Sequence, residues 1–321
     1  MRIDPVVLRV TAPLLVIPAL TMACSPNAVP PAPAPVPPVA LIEPDSSTPA
    51  TGLLVMAHGG GGEWDQAVAE AVAPLRHERP TALALGMADP LTLSAALDSL
   101  ENRGVQRVAV VRLFVSGTSF LAQTRYLLGL GPAPARFISH HGSGSGHTIP
   151  DPIGHDLDVA THVDGLVDHE VTGRILVDRS RQLSRDPGSE SVLWLAHGLG
   201  DPDANGRLEA AMANWAQGLH ELGFAAAHAA TLREDWPEAR ERAEVEIQHW
   251  VANQVGLGRR VLVVPLRVSG FGPYDDVLAD LQYQRGEGLL PHGGVTDWIR
   301  EKLSEVERAE GWTELRSVEH R

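Results

Sequence analysis

Cysteine is all but missing. The 321 residues hold one, Cys24. A single thiol excludes a disulfide framework and every zinc-ribbon spacing. Positive charge is also in deficit: 26 Lys and Arg stand against 40 Asp and Glu, a formal net charge of −14. An acidic surface repels phosphate backbones, so no nucleic acid is expected as a partner, and a cation or a neutral ligand suits the chain better. No apolar run is long enough to span a bilayer comfortably. The longest near the N-terminus, Val10 to Ala23, has the length of a signal-peptide core. No G-x-S-x-G nucleophile elbow follows His58-Gly59-Gly60-Gly61. The nearest segment, GSGSG at 142–146, puts glycine where the serine must stand, which counts against an α/β-hydrolase.

What is present begins with Arg2 and Arg9, the apolar run, and then Leu20-Thr21-Met22-Ala23-Cys24, which resembles a bacterial lipobox. The resemblance implies a lipidated Cys24, export, and a chain held at a membrane surface without a transmembrane helix. Residues 25–51 form a proline- and alanine-rich linker, an extended spacer with no core of its own. Two units are expected after it, at 52–186 and 187–308, with a weakly ordered tail at 309–321.

The organising stretch is Leu53 to Gly62, LLVMAHGGGG. A second copy, VLWLAHGLG, lies at Val192 to Gly200. Each reads as a strand covered on both faces, ending in His-Gly and followed by a helix. Further strands are expected at Thr81–Gly86, Val108–Val115, Phe224–Leu232 and Val261–Val268. They alternate with helices opened by Pro90 and Pro237, which gives parallel βαβ units. Two more landmarks recur in order. LFVSG at 113–117 matches LRVSG at 266–270, and GLVDH at 165–169 matches GLLPH at 288–292. Three ordered matches argue for a duplicated α/β unit. The stretch 137–162 breaks the pattern and reads as a histidine-rich inserted loop.

His58 and His197 sit where open α/β sheets bind ligands, at the carboxyl ends of parallel strands. An imidazole there can act as a base or as a metal ligand. His140, His141 and His147 crowd the inserted loop with His155, His162, Asp151, Asp156 and Asp158. Such a set can collect a divalent metal, although its spacing matches no fixed motif, and a solvated loop is the plain alternative. His169 and His292 precede helices and suit capping or packing. The tryptophans suit core or cleft walls.

LLVMAHGG, LWLAHGLGD, NRGVQRVAVVRLFVSG and GRRVLVVPLRVSG together resemble the CbiX/SirB-type class II chelatases, over about residues 52 to 305. Those enzymes insert a divalent metal into sirohydrochlorin in cobalamin or sirohaem synthesis. The resemblance implies two tandem flavodoxin-like α/β units with parallel sheets and a tetrapyrrole in the cleft between them. It makes His58 the first catalytic and metal-handling candidate and His197 its duplicate. Cobalt, iron or nickel would be the substrate or ligand. The family's second histidine has no counterpart, since its places hold Ser119 and Gly272. For the family's acidic partner, Asp89 is the nearest candidate in the first unit. A non-catalytic exported lipoprotein that binds metal or tetrapyrrole on the same fold therefore stands beside the chelatase reading.

Overall fold

The chain is described by a computed structural model covering residues 51–137 and 149–312. These all fall in the compact unit Glu43–Arg321; the other unit, Met1–Ile42, lies outside the described residues, and Cys24 with it. The loop candidates His140, His141 and His147 also lie outside them.

Uncharged β1 (Thr51–Ala57) is buried along its length. It leads into α1 (Gly62–Val72) and a 3-10 turn, Ala73–His77. Then follow β2 (Thr81–Leu85), α2 (Pro90–Glu101), β3 (Arg107–Leu113), α3 (Leu121–Leu127), β4 (Asp158–Thr161) and α4 (Glu170–Leu183). The second half runs β5 (Glu190–Ala196), α5 (Pro202–Trp215), α6 (Gln217–Glu221), β6 (Ala226–Thr231) and α7 (Pro237–Gly256). It ends with β7 (Arg260–Leu266), α8 (Tyr274–Val277), β8 (Gln284–Arg285) and α9 (Gly293–Ala309). The two sheets have the orders β2-β1-β3-β4 and β6-β5-β7-β8, with every pair parallel. The duplication seen in the motifs is thus a duplication of topology.

The stretch 137–162 is not a loop throughout, because it contains β4. Four residues are too few to show a period, and the strand is defined by pairing with β3, from Arg107↔Asp158 to Val110↔Thr161.

Strand alternation divides the core. Leu53, Val55 and Val111 of the first sheet share one cluster with Val192, Trp194 and Val264 of the second. Leu54, Met56, Val108 and Val110 pack with Leu93 and Leu97 of α2 on the opposite face; Leu193, Leu195 and Val263 pack with Ile247 and Val251 of α7. Covering both faces is what makes these strands read as unbroken apolar runs.

The closing helix of each half packs on the other half's sheet: α4 lies on β7, and α9 lies on β3 and α1. The Trp194 indole N–H donates to Ser180 Oγ of α4 (3.0 Å), and Thr296 Oγ1 of α9 donates to the Ala71 carbonyl (2.8 Å). His169 and His292 cap these helices, as their positions suggested. His169 Nδ1 accepts the Val171 N–H (3.1 Å), and His292 Nδ1 accepts the Gly294 N–H (3.0 Å). An accepting Nδ1 puts the ring proton on Nε2. That proton points at Glu301 of α9 from His169 (3.0 Å) and towards Asp178 of α4 from His292 (3.7 Å). Each cap therefore reaches the other exchanged helix.

Gly117 and Gly165 let the backbone after β3 touch the segment before α4. A Cβ on Gly117 would lie 2.4 Å from the Val163 carbonyl oxygen, and one on Gly165 would lie 2.3 Å from the Gly117 nitrogen. Gly117→Ala is expected to cost about 1–3 kcal/mol in urea denaturation, because backbone rather than a mobile side chain must yield.

Candidate functional site

In each sheet the chain leaves the first strand towards one neighbour and later returns to the other side, which sets a switch point between β1 and β3 and again between β5 and β7. Ligands of open parallel sheets bind at such points. His58 follows β1 and His197 follows β5, so both occupy this place.

The two rings are held alike. His58 Nδ1 lies 2.8 Å from the Gly59 carbonyl and His197 Nδ1 lies 2.9 Å from that of Gly198. A carbonyl only accepts, so each Nδ1 carries a proton. This is how ring orientation is fixed when Nε2 is to meet a metal or take a proton. Both glycines have positive φ, 76° and 88°, a conformation that turns the chain back over the ring. An indole flanks each imidazole: Trp64 at 6.1 Å from His58 and Trp236 edge-on at 5.9 Å from His197.

Around these rings the halves differ. His197 Nε2 lies 3.3 Å from Asp235 Oδ2 and 3.9 Å from Glu234 Oε2. Glu234 is in turn fixed by Arg267 Nη1 at 2.6 Å. Tyr274, wholly buried, lies under the Arg267 guanidinium, 5.8 Å from it, and its burial pushes the phenol pKa up. Counting back from Pro237 and Pro90, Glu234 and Asp235 match Met87 and Ala88, so the first half has no acid there. The Glu-Asp pair escaped sequence reasoning because two charges before a helix read as solvated surface. Its signal was its place, directly after the second strand of the repeat.

Asp89 caps α2: its Oδ1 accepts the Leu91 and Thr92 N–H groups. Ser119 presents its carbonyl to Arg112. Gly272 has φ 65°, and the Arg267 guanidinium fills the space a side chain there would need, 2.7 Å from a built Cβ. Neither residue replaces an imidazole.

His162 does not belong with the metal-collecting histidines. It is 8% exposed, its Nε2 accepts the backbone N–H of Arg112 (2.9 Å), and its ring packs edge-on against Trp298 at 5.4 Å. The lone pair a metal would need is already engaged. Asp158, of the same set, accepts the Trp312 indole N–H at 3.1 Å. Among the described residues no three His, Cys, Asp or Glu side chains are arranged to hold a metal ion by themselves. No helix among them is long and apolar enough to cross a membrane.

Solved structures share this fold. SirB from Bacillus subtilis with Fe3+ superposes with a TM-score of 0.56 at 14% identity, covering 81% of this chain and 97% of that one. The sirohydrochlorin chelatase SirB from Bacillus subtilis subspecies spizizenii, in complex with cobalt, gives 0.51 at 14% identity over the same shares. The chain has the CbiX/SirB-type class II chelatase fold. A multi-domain Deinococcus radiodurans protein with structural similarity to chelatases gives 0.51 at 17% identity, over 84% of this chain and 56% of that one. No protein-family model and no curated protein matches the sequence. The chelatase fold is thus carried by topology, at identities where sequence alone says little.

Proposed function

We propose that the protein handles a divalent metal ion and a sirohydrochlorin-type tetrapyrrole, inserting the one into the other. The observation that carries this reading is the repeated imidazole: two strand-end histidines at matching switch points, each with Nδ1–H tied to its own glycine carbonyl. Insertion requires two pyrrole N–H protons to leave as the ion enters. An Nε2 lone pair can take such a proton or hold the ion while its other positions stay open to the macrocycle. The ion is substrate, which fits an incomplete ligand set better than a closed resident site does. Cobalt and iron are the first choices because the neighbouring chelatases hold them; nickel is a further candidate.

Binding without turnover is the second reading. Its support is the missing second imidazole at Ser119 and Gly272, with Arg267 filling the space at Gly272. We further propose export and lipid anchoring through Cys24, which Cys24→Ser would abolish by shifting the protein from the membrane to the soluble fraction.

Calorimetric titration with cobalt tests the metal reading. Saturable binding is expected to weaken at least tenfold in His197→Ala, where two carboxylates flank the ring, and to be lost in the double variant with His58→Ala. Binding untouched by both substitutions would move the metal to His140, His141 and His147, away from the strand ends.

A further inference from the structure

Arg112 has no exposed surface. It pairs in register with Met56 of β1, two residues before His58, and extends from the face of β3 that carries Val108 and Val110. Its guanidinium therefore lies beneath the first switch point. Nη2 donates to the Gly117 carbonyl (2.9 Å) and the Ser119 carbonyl (2.5 Å), and the Phe114 ring lies 5.9 Å from the guanidinium carbon. Nε and Nη1 are buried and have no acceptor among the described residues. None of the ion pairs among those residues includes Arg112.

The second half shows what a settled arginine looks like. LFVSG at 113–117 and LRVSG at 266–270 align Arg112 with Pro265, and the guanidinium of that half comes from Arg267 instead. Arg267 has its carboxylate, Glu234, at 2.6 Å. Arg112 has carbonyls only. A buried cation without a counterion is expensive, and a fold that needed only to tie down two carbonyls could use a neutral donor. Burial pushes the guanidinium down to about 10, so it keeps its charge at neutral pH.

We propose that Arg112 anchors an anionic group of the ligand, a carboxylate, at the first switch point, with Nε and Nη1 as the donors. The choice of a carboxylate rests on the tetrapyrrole reading above, since macrocycles of that class carry carboxylate side chains. The anion reaches the guanidinium by displacing the loop from Ser116 to Phe120. That loop carries local strain: Phe120 holds φ 54°, a left-handed conformation that costs a non-glycine residue energy, and the Ser116 and Thr118 hydroxyls bond each other on its exposed side (2.9 Å).

The test uses the full chain, with Arg112→Met and Arg112→Lys beside it. The probes are a porphyrin with carboxylates on every pyrrole, a porphyrin with alkyl side chains only, and citrate. The carboxylated porphyrin is expected to bind Arg112→Met at least about tenfold more weakly than wild type, the loss of charge-assisted hydrogen bonds. Arg112→Lys is expected to recover part of it. The alkyl porphyrin should not distinguish the variants, and the Tm of ligand-free Arg112→Met should fall, because the Gly117 and Ser119 carbonyls lose their donor. Unchanged affinity of Arg112→Met for the carboxylated porphyrin, or an equal loss for both porphyrins, would overturn the inference and make Arg112 a tie for its loop. If no porphyrin binds but citrate raises the Tm of wild type and not of Arg112→Met, the anion site stands and the tetrapyrrole reading falls. If citrate also fails to separate the two proteins, both fall.

Discussion

Acidification from pH 6.5 to pH 4 is expected to remove on the order of 3 kcal/mol of folding free energy, through His162 alone. Burial holds this ring well below its ordinary value of 6.5, down to about 3, and the nearby Arg112 and Lys302 charges add to the depression. The neutral form is what the fold requires, since Nε2 accepts the Arg112 N–H. A histidine with a depressed native pKa binds its proton more readily when unfolded. Its contribution is therefore complete above about 6.5 and is lost as pH falls towards about 3. Carboxylates held low in the fold, such as Glu78 with its Arg300 partner, begin to cost stability only nearer their own range around 4.5, so the two effects separate along the pH axis. In urea denaturation at stepped pH, His162→Gln, which keeps an acceptor for Arg112 but does not titrate, should lose most of the slope between 6.5 and 4.5. An unchanged slope would mean that other groups carry it.

Arg179 should give the largest stability loss of any single polar side chain on the exchanged helices. It is 7% exposed on α4, and it clamps the segment before α9 through Gly288 O (2.9 Å) and Pro291 O (2.5 Å), with Glu287 at 2.9 Å. Glu287 is itself 71% exposed, so the ion pair contributes little. The weight lies on the two carbonyls, which Arg179→Ala would strand, at roughly 1–3 kcal/mol each. The expected total is about 2–6 kcal/mol. Arg179→Lys should recover less than half, because an ammonium cannot reproduce the planar fork that reaches both oxygens. A Tm within a degree of wild type for Arg179→Ala would show that the exchange does not depend on this clamp.

Much of the architecture was legible in the residues, and the exceptions have definite causes. β1, β3, β5 and β7 announce themselves because both faces of each are covered, which leaves no polar alternation. β4 and β8, four and two residues long, exist through pairing with a neighbour and have no period to read. The helix exchange was hidden for a different reason. The apolar face of α4 shows that it packs on something, and only the folded chain shows that the partner is β7 rather than β3. At the site, the place of His58 and His197 was visible in the strand-His-Gly pattern. Glu234 and Asp235 were missed as loop charge, Arg112 as a polar break in an apolar strand. His162 was misplaced by the company it keeps in sequence; its real partner is a backbone N–H fifty residues earlier.

The proposal that the strand-end imidazoles act on a metal and a macrocycle can be checked by following sirohydrochlorin absorbance after adding cobalt and the protein. The metal-free spectrum should convert to that of the cobalt complex faster than in buffer alone. The acceleration should fall by at least tenfold in His58→Ala or in His197→Ala and disappear in the double variant. Insertion no faster than in buffer, or an acceleration that survives loss of both histidines, would contradict it.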